Sequence, residues 1–266
     1  MSSDRDWRAA LRSEARFLYG AEGDEVAAEL ERRATAFRRA HPRPTVPPEE
    51  RMSERDAILI TYADTIRRPG ETPLRTLERW LEGPLQDTVS AVHLLPFFPW
   101  SSDDGFAVED YRAVSPEYGD WDDVHAIARH HRLMVDAVLN HASAQGDWFG
   151  GFLRDEAPYR DWFRTEAEDA DLRSIVRPRT SPLLTPFETR AGRRWVWTTF
   201  GPDQVDLDYR SSDLLLEIAD VLLDYVAHGA EIVRMDAVTY LWKELGTSGV
   251  HHPKTHAVLR LLRALL

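Results

Sequence analysis

Four short, mostly apolar runs, each followed by a helical pattern, constrain the fold of this chain more than any other feature. The runs lie at 57–62, 89–95, 133–139 and 231–235. Their side chains are apolar at consecutive positions rather than at alternate ones, which is typical of parallel strands covered on both faces. The pattern predicts an α/β fold, and it leaves open whether the four strands form half of a barrel or a small doubly wound sheet.

Turn and capping residues predict where the helices begin. Thr72 precedes Pro73, so Thr72 is predicted to cap a helix through its hydroxyl oxygen, and Pro73 suits the first helical turn. Asp120 is predicted to cap the next helix, and a longer helix is predicted to begin near Asp213. A final helix is predicted from Pro253 onward.

Two segments interrupt the alternation of strand and helix. Residues 4–40 have apolar side chains at helical spacing, and residues 41–50 contain four prolines, which is typical of a linker. Residues 142–208 have no clear period, which predicts an inserted subdomain. We therefore divide the chain into a helical extension with its linker (1–50), a first part of the main domain (51–141), an insertion (142–208) and a continuation of the main domain (209–266).

Composition excludes several classes of function. The chain has no cysteine, which rules out disulfides, thiolate metal sites and cysteine nucleophiles. Its net charge of −12 argues against nucleic acid and anionic membranes as partners. We find no signal peptide and no apolar run of the ~20 residues that a membrane helix needs, and we expect a cytoplasmic protein.

Polar side chains cluster where the third and fourth predicted strands end. Asp136, Asn140 and His141 lie in or just after the third strand, and Arg234 and Asp236 lie at the end of the fourth. Taken singly, each is ambiguous, because a strand-end Asp often caps a turn, Asn-His often forms a structural pair and Arg-x-Asp is a common ion pair. Residues two apart on a strand face the same side, so Arg234 is expected to orient the Asp236 carboxylate as a nucleophile requires. In a barrel, both strand ends would open on one active site.

These motifs resemble the α-amylase superfamily, glycoside hydrolase family 13. DAVLNH (136–141) resembles its first signature, RMDA (234–237) the core of its second, and QVDLD (204–208) the short motif near the end of its inserted domain B. Longer segments such as IVRPRTSPL (175–183) and RWVWTTFGPDQVDLDY (194–209) resemble the sucrose phosphorylase subfamily, and the helical extension is most like its glucosylglycerate-type members. The resemblance implies a (β/α)8 barrel of α-amylase type, with its first four strand–helix units in this chain and domain B after the third strand.

The resemblance also implies roles for individual residues. Asp236 would attack the anomeric carbon as the nucleophile, and Arg234 would support it electrostatically. His141 and Asp103 would bind hydroxyl groups of the glucosyl ring, with Asp104 as the alternative to Asp103.

A second group of residues is implied to surround the bound sugar. Phe106 and Phe200 would form an apolar wall, with plain core packing as the alternative for both. Arg179 and Gln204 would face the acceptor, with a surface ion pair as the alternative for Arg179.

The implied activity is that of a retaining sugar phosphorylase. Such an enzyme moves the α-glucosyl group of a small α-glucoside to inorganic phosphate and releases α-glucose 1-phosphate. We expect no cofactor and no metal ion, because residues 142–208 contain no calcium-type loop. The alternatives are a hydrolase or transglucosidase of the same family and, in another class, a non-catalytic barrel or a truncated gene product.

A retaining glycosidase mechanism needs a second carboxylate as acid/base. The resemblance places this Glu after a fifth strand and a stabilising Asp after a seventh, both of which would follow residue 266. Glu244 is too close to Asp236 in the sequence to take the acid/base role. We therefore expect this chain to be an N-terminal fragment that is inactive and poorly stable alone.

Overall fold

A computed structural model describes residues 3–42 and 46–266. Its helices are α1 (Ser3–Tyr19), α2 (Gly23–Ala40), α3 (Pro73–Glu82), α4 (Trp121–Ala128), α5 (Asp147–Leu153), α6 (Ser212–Ala227) and α7 (Pro253–Leu265). Its strands are β1 (Ile58–Thr61), β2 (Ala91–Leu94), β3 (Arg132–Val138), β4 (His141–Ser143), β5 (Thr165–Glu166), β6 (Leu184–Thr189), β7 (Gly192–Trp197), β8 (Gln204–Asp206) and β9 (Ala230–Asp236). The linker predicted at 41–50 includes residues 43–45, which lie outside the described residues.

The main sheet is parallel and has the strand order β1-β2-β3-β9. These are the four predicted strands, and each begins and ends within two residues of its predicted bounds. Helices α3, α4 and α6 come between successive strands, and α7 follows the last. The strands lie in sequence order without the reversal that marks a doubly wound sheet, so the arrangement is that of consecutive units of a (β/α)8 barrel.

The two faces of this sheet are buried to different degrees. Leu94 and Val135 lie on the face that packs into the main hydrophobic core with α3, α4 and α6, and they are 0% and 2% exposed. On the other face, Ile60 is 62% exposed. The side chains of Arg234 and Asp236 lie on this second face, and they are 42% and 17% exposed. The carboxyl ends of the strands therefore present polar groups on an accessible surface.

Short polar side chains cap the N-terminal ends of α4 and α6. The Asp120 carboxylate accepts hydrogen bonds from the amides two and three residues further on, which confirms the predicted cap of α4. Helix α6 is capped by the Ser211 hydroxyl, which accepts from the amide of Leu214. The predicted start at Asp213 therefore differs from the observed start by one residue.

Thr72 is the N-cap residue of α3 and Pro73 the first helical residue, as predicted, but the predicted capping hydrogen bond is wrong. The Thr72 side chain makes no capping hydrogen bond, and its hydroxyl instead donates to Asp123 Oδ2 at 2.9 Å. Pro73 has no amide proton that could be donated to the Thr72 hydroxyl oxygen. The amide of Leu74 donates to the carbonyl oxygen of Tyr118 at 3.1 Å, which leaves the Thr72 hydroxyl free to contact α4.

The segment between β3 and α6 contains two small antiparallel sheets, β4-β8 and β5-β7-β6, with α5 beside them. Strands β6 and β7 form a hairpin whose turn residues are Arg190 and Ala191, a feature that the sequence did not predict. Strand β4 follows β3 almost directly, and its His141 pairs with Asp206 of β8. This pairing places the 204–206 motif beside the end of β3.

Helices α1 and α2 form a helical hairpin that packs against α6 and α7. Arg260 of α7 donates to the Glu14 carboxylate at 2.6 and 2.8 Å, and Arg33 of α2 pairs with Asp220 of α6. Gly23 allows the two helices to approach closely, because a Cβ atom there would lie 2.5 Å from the Cα of Arg16. The extension therefore shares the core of the main sheet. Within the described ranges, none of the helices has both the length and the apolar character needed to cross a membrane.

Candidate active site

The carboxyl ends of β3 and β9 bring two charged residues side by side. Asp136 pairs in register with Arg234, and Val138 pairs with Asp236. Arg234 Nη1 donates a hydrogen bond to Asp136 Oδ1, and His93 Nε2 lies 2.6 Å from Asp136 Oδ2. Asp136 is fully buried, so it holds the guanidinium in one position.

Arg234 connects this buried carboxylate to the predicted nucleophile. Arg234 Nη1 lies 3.0 Å from Asp236 Oδ1. Partial burial lowers the pKa of Arg234, but its hydrogen bond to Asp136 and the charges of Asp136 and Asp236 outweigh burial and leave the pKa raised. A guanidinium that stays charged therefore lies between two carboxylates, orients Asp236 and stabilises its negative charge. Ala237 has a left-handed φ of 50°, so the chain turns away directly after Asp236.

His141 is buried beside this pair, with 1% exposure. Its Nε2 lies 2.9 Å from the carbonyl oxygen of Phe106, so Nε2 carries the proton, and its Nδ1 lies 3.4 Å from Asn140 Nδ2. Burial lowers the pKa of His141 against the opposing charges of Asp206 and Asp236. The ring is therefore a neutral hydrogen-bond donor near Asp236.

A tight turn before Phe106 positions Asp103. Asp103, Asp104 and Gly105 have φ values of 57°, 51° and 100°, three left-handed residues in succession. A Cβ atom on Gly105 would lie 2.7 Å from the carbonyl oxygen of Pro96, so this turn requires glycine there. The turn leaves the carboxylates of Asp103 and Asp104 exposed.

Gln204 lies between Asp103 and the buried histidine. Gln204 Nε2 donates to Asp103 Oδ2 at 2.9 Å and lies 3.2 Å from His141 Nε2. These contacts bring Asp103, rather than Asp104, together with His141. Gln204 was expected near the acceptor, and its observed partners belong to the residues expected to bind the glucosyl ring.

Two phenylalanine rings lie beside the polar side chains of Arg234 and His141. The Arg234 guanidinium lies 5.9 Å from the ring centre of Phe106, and the ring of Phe200 lies 5.1 Å from that of His141. Tyr240, to which the sequence assigned no role, contacts Phe200 edge-on at 5.5 Å. Both phenylalanines are only partly buried, so they border the site rather than fill the core.

A buried ammonium group lies behind the site and was missed by the sequence analysis. Lys243 is 4% exposed, and its Nζ lies 2.8 Å from Asn140 Oδ1, 3.1 Å from Asp206 Oδ2 and 3.1 Å from the carbonyl oxygen of Leu207. Burial lowers the pKa of Lys243, and the charge of Asp206 and its hydrogen bond to the ammonium oppose that shift. Asp206 also accepts from the Thr199 hydroxyl at 2.6 Å. Lys243 therefore ties the loop after β9 to the ends of β3 and β8.

Arg179 lies apart from this group. It is exposed in the loop at 176–181, whereas its neighbour Arg177 turns inward. Arg177 Nη1 lies 3.3 Å and 3.4 Å from the carbonyl oxygens of Thr199 and Thr198. The structure thus brings together Asp236, Arg234, His141, Asp103, Gln204, Phe106 and Phe200, and it leaves Arg179 at the surface.

Across residues 3–42 and 46–266, no group of three or more His, Cys, Asp or Glu side chains is arranged to hold a metal ion.

Comparison with known proteins identifies the family. The family described as alpha amylase, catalytic domain, matches residues 86–260, which include β2, β3, the insertion and β9. The chain belongs to the alpha-amylase family. The predicted barrel fold and the resemblance stated from the sequence motifs are both confirmed.

Within the alpha-amylase family, the chain is similar to several phosphorylases. It is 55% identical over 210 residues to the glucosylglycerate phosphorylase of Spirochaeta thermophila, covering 79% of this chain and 36% of that protein. It is 44% identical to the glucosylglycerate phosphorylase of Escherichia coli K12, covering 94% of this chain and 44% of that protein. The crystal structure of sucrose 6F-phosphate phosphorylase from Thermoanaerobacter thermosaccharolyticum superposes with a TM-score of 0.73 at 29% identity, covering 82% of this chain and 48% of that one. This chain spans less than half the length of these relatives.

Proposed function

We propose that this chain supplies the nucleophile and the glucosyl-binding residues of a retaining α-glucosyl phosphorylase. The observation that carries the proposal is the contact between Asp236 and Arg234 at the end of β9, with the guanidinium held by buried Asp136. The similarity to glucosylglycerate phosphorylases at up to 55% identity supports the choice of reaction.

The proposed reaction proceeds by two displacements. In the first, a carboxylate oxygen of Asp236 forms a bond to the anomeric carbon of an α-glucoside while the bond from that carbon to the leaving oxygen breaks. The leaving oxygen takes a proton from a general acid that the rest of the site would supply. In the second, an oxygen of inorganic phosphate attacks the same carbon, Asp236 departs as a carboxylate, and α-glucose 1-phosphate is released.

The proposed glucosyl subsite consists of the residues around His141. When the sugar binds, the Nε2 proton of the neutral His141 ring would donate to a sugar hydroxyl group in place of the carbonyl oxygen of Phe106. Asp103 offers carboxylate oxygens to sugar hydroxyl groups. Gln204 donates a hydrogen bond to Asp103 and lies beside the His141 ring. Phe106 and Phe200 border the subsite with apolar surface, which reduces the access of water to the charge that develops in the transition state.

The acceptor side of the proposed site includes Arg179. Arg179, exposed on the loop at 176–181, is proposed to approach the acceptor when both substrates are bound. The small-molecule partners are an α-glucoside, with glucosylglycerate preferred over sucrose because of the higher identity, and inorganic phosphate. The division of the chain at residues 50, 141 and 208 and a cytoplasmic location stay predictions.

A chimera tests this proposal. Residues 1–266 replace the matching part of the Escherichia coli glucosylglycerate phosphorylase, of which this chain spans 44%. The chimera should release glucose 1-phosphate from glucosylglycerate only when phosphate is added. A chimera that melts like the parent enzyme and yet produces no glucose 1-phosphate from either glucosylglycerate or sucrose would contradict the proposal.

The same assay separates phosphorolysis from hydrolysis. If the chimera releases free glucose at the same rate with and without phosphate, the family alternative of a hydrolase is correct. The matched control is the parent enzyme, assayed under the same conditions, because any difference in acceptor use then comes from residues 1–266.

A further inference from the structure

Two buried tyrosine hydroxyls hold the backbone at the end of β3. Tyr209 Oη donates to the carbonyl oxygen of Leu139 at 2.8 Å. Tyr111 Oη donates to the carbonyl oxygen of His141 at 2.7 Å. These two carbonyl groups lie one residue before and one residue after Asn140, whose own side chain belongs to the Lys243 network. The short segment from Leu139 to His141 is thus fixed on both sides.

Neither tyrosine can move without disturbing the core. Tyr111 and Tyr209 are 3% and 1% exposed. The ring of Tyr111 stacks on that of Trp148 with 4.7 Å between centres. Burial raises the pKa of both phenols, so each hydroxyl keeps the proton that it donates. The two hydroxyls therefore act as fixed donors rather than as adaptable ones.

We propose that Tyr111 and Tyr209 are positioning residues of the active site. By fixing the backbone on both sides of Asn140, they fix the direction in which the His141 ring leaves the strand. That ring contacts the carbonyl oxygen of Phe106 at 2.9 Å, so a small shift of the backbone weakens the contact. The proposal rests on the proposed function, in which His141 binds the glucosyl group.

The N-terminal helical hairpin is connected to the same point. Tyr19, near the end of α1, donates through its hydroxyl to the carbonyl oxygen of Tyr209 at 3.0 Å. Tyr209 in turn holds Leu139. The hairpin therefore contributes indirectly to the position of His141, and loss of the Tyr19 hydroxyl has a smaller effect than loss of the Tyr209 hydroxyl.

Removal of single hydroxyl groups tests the proposal. The variants are Tyr111→Phe and Tyr209→Phe, and the matched control is Tyr225→Phe. Tyr225 is equally buried, and its hydroxyl has no hydrogen-bond partner among the described residues. Both readouts are taken in the chimera described above: kcat/KM, and the ring 15N resonances of His141, assigned with His141→Gln.

Each test variant should lower kcat/KM for the glucosyl donor by about tenfold, since a buried carbonyl group loses its partner. The fall should be equal with phosphate and with water as acceptor, because His141 contacts only the glucosyl group. The His141 Nε2 resonance should shift in both variants, and Tyr225→Phe should change neither readout. The double variant should cost less than the product of the single effects, because both tyrosines act on one segment.

Unchanged His141 resonances in both Tyr111→Phe and Tyr209→Phe would overturn the proposal, whatever happens to activity. If one of these variants does not fold, Tyr19→Phe takes its place, and a His141 resonance that does not move there counts against the connection through the hairpin. A shifted His141 resonance in a chimera that lacks phosphorylase activity supports the positioning role and contradicts only the proposed function. An equal loss of kcat/KM in Tyr225→Phe would show a general packing effect and would also overturn the proposal.

Discussion

The ends of β3 and β9 lie side by side in one sheet and differ in almost every physical respect. At the end of β3, Asp136, Asn140 and His141 are 0%, 0% and 1% exposed, and each has partners within the protein. At the end of β9, the side chains of Arg234 and Asp236 are 42% and 17% exposed. The β3 end is a closed hydrogen-bond network, whereas the β9 end presents a charged pair to the surface.

This difference assigns different tasks to the two strand ends. A closed, buried network positions groups and resists change, because every lost partner leaves a buried polar atom unsatisfied. An accessible carboxylate can react, since a substrate can reach it. Substitutions of Asp136 and of Lys243 should therefore mainly reduce stability, and substitution of Asp236 should mainly reduce activity.

The largest expected effect is on activity at the β9 end. Asp236→Asn in the active chimera should lower turnover by about 10^4-fold or more, because the nucleophile of a covalent mechanism is removed. The denaturation midpoint should stay close to that of the unsubstituted chimera, since Asp236 is accessible and its partner Arg234 keeps Asp136. Near-normal turnover in this variant would end the assignment of Asp236 as nucleophile.

The largest expected effect on stability is at Lys243, which holds the β3 end from behind. Lys243→Met should lower the free energy of unfolding by about 4 kcal/mol, because Asp206 and Asn140 lose a buried charged partner. The matched control is Lys254→Met, since the Lys254 ammonium lies 4.4 Å from the ring centre of Trp242, the residue before Lys243, and Lys254 is only partly buried. The measurement is the denaturant midpoint of each variant, and equal losses in both would contradict the special place of Lys243.

A substitution of Asp136 tests the contact between the two strand ends, because Asp136 of β3 accepts a hydrogen bond from Arg234 of β9. Asp136→Asn should cost about 3 kcal/mol of unfolding free energy, the low end of the range for a broken buried pair, since Arg234 is partly exposed and regains water. The value should clearly exceed that for Asp236→Asn, measured by the same denaturant titration. Equal stability of the two variants would remove the contrast between a structural β3 end and a reactive β9 end.

The sequence predicted the main sheet well because its strands leave a local signal. The run 133–139 is apolar apart from Asp136, as in a parallel strand, although the second face of the sheet is only partly covered. The β6–β7 hairpin was missed, because Pro186 interrupts the first strand and only Leu184 and Phe187 of its six residues are large and apolar. The available signal was the short turn at Arg190 and Ala191 followed by Gly192, which has a φ of 107°.

Site residues that lie on strands could be predicted from the sequence. Site residues whose positions depend on contacts between distant parts of the chain could not. Asp136 and Arg234 follow strand spacing, so their shared edge could be inferred. Lys243 gives no local signal, since its burial depends on oxygen atoms of Asn140, Asp206 and Leu207, which lie far from it in the sequence. Its position directly after buried Trp242 was the single available hint.

The smallest expected effect is a dependence of stability on pH that comes from His141. Burial lowers the pKa of His141 below the ordinary value of about 6.5, and the charges of Asp206 and Asp236 only partly oppose it. As the pH falls below about 6.5, the unfolded chain therefore takes up a proton that the folded chain does not, so the free energy of unfolding decreases as the pH falls. The slope is at most about 1.4 kcal/mol per pH unit for one group.

The measurement compares denaturant midpoints of the chain and of His141→Gln at pH values of about 7, 6 and 5.5, which bracket the ordinary pKa of histidine. Glutamine retains a donor for the carbonyl oxygen of Phe106 and does not titrate, so the slope should become shallower in the variant. The matched control is His130→Gln, because His130 is exposed and contacts Glu82 at the surface. If the slope of unfolding free energy against pH stays the same in His141→Gln, the hydrogen-bond network at the β3 end tolerates a charge on His141. The contrast between the two strand ends would then depend on Asp136 and Lys243 alone.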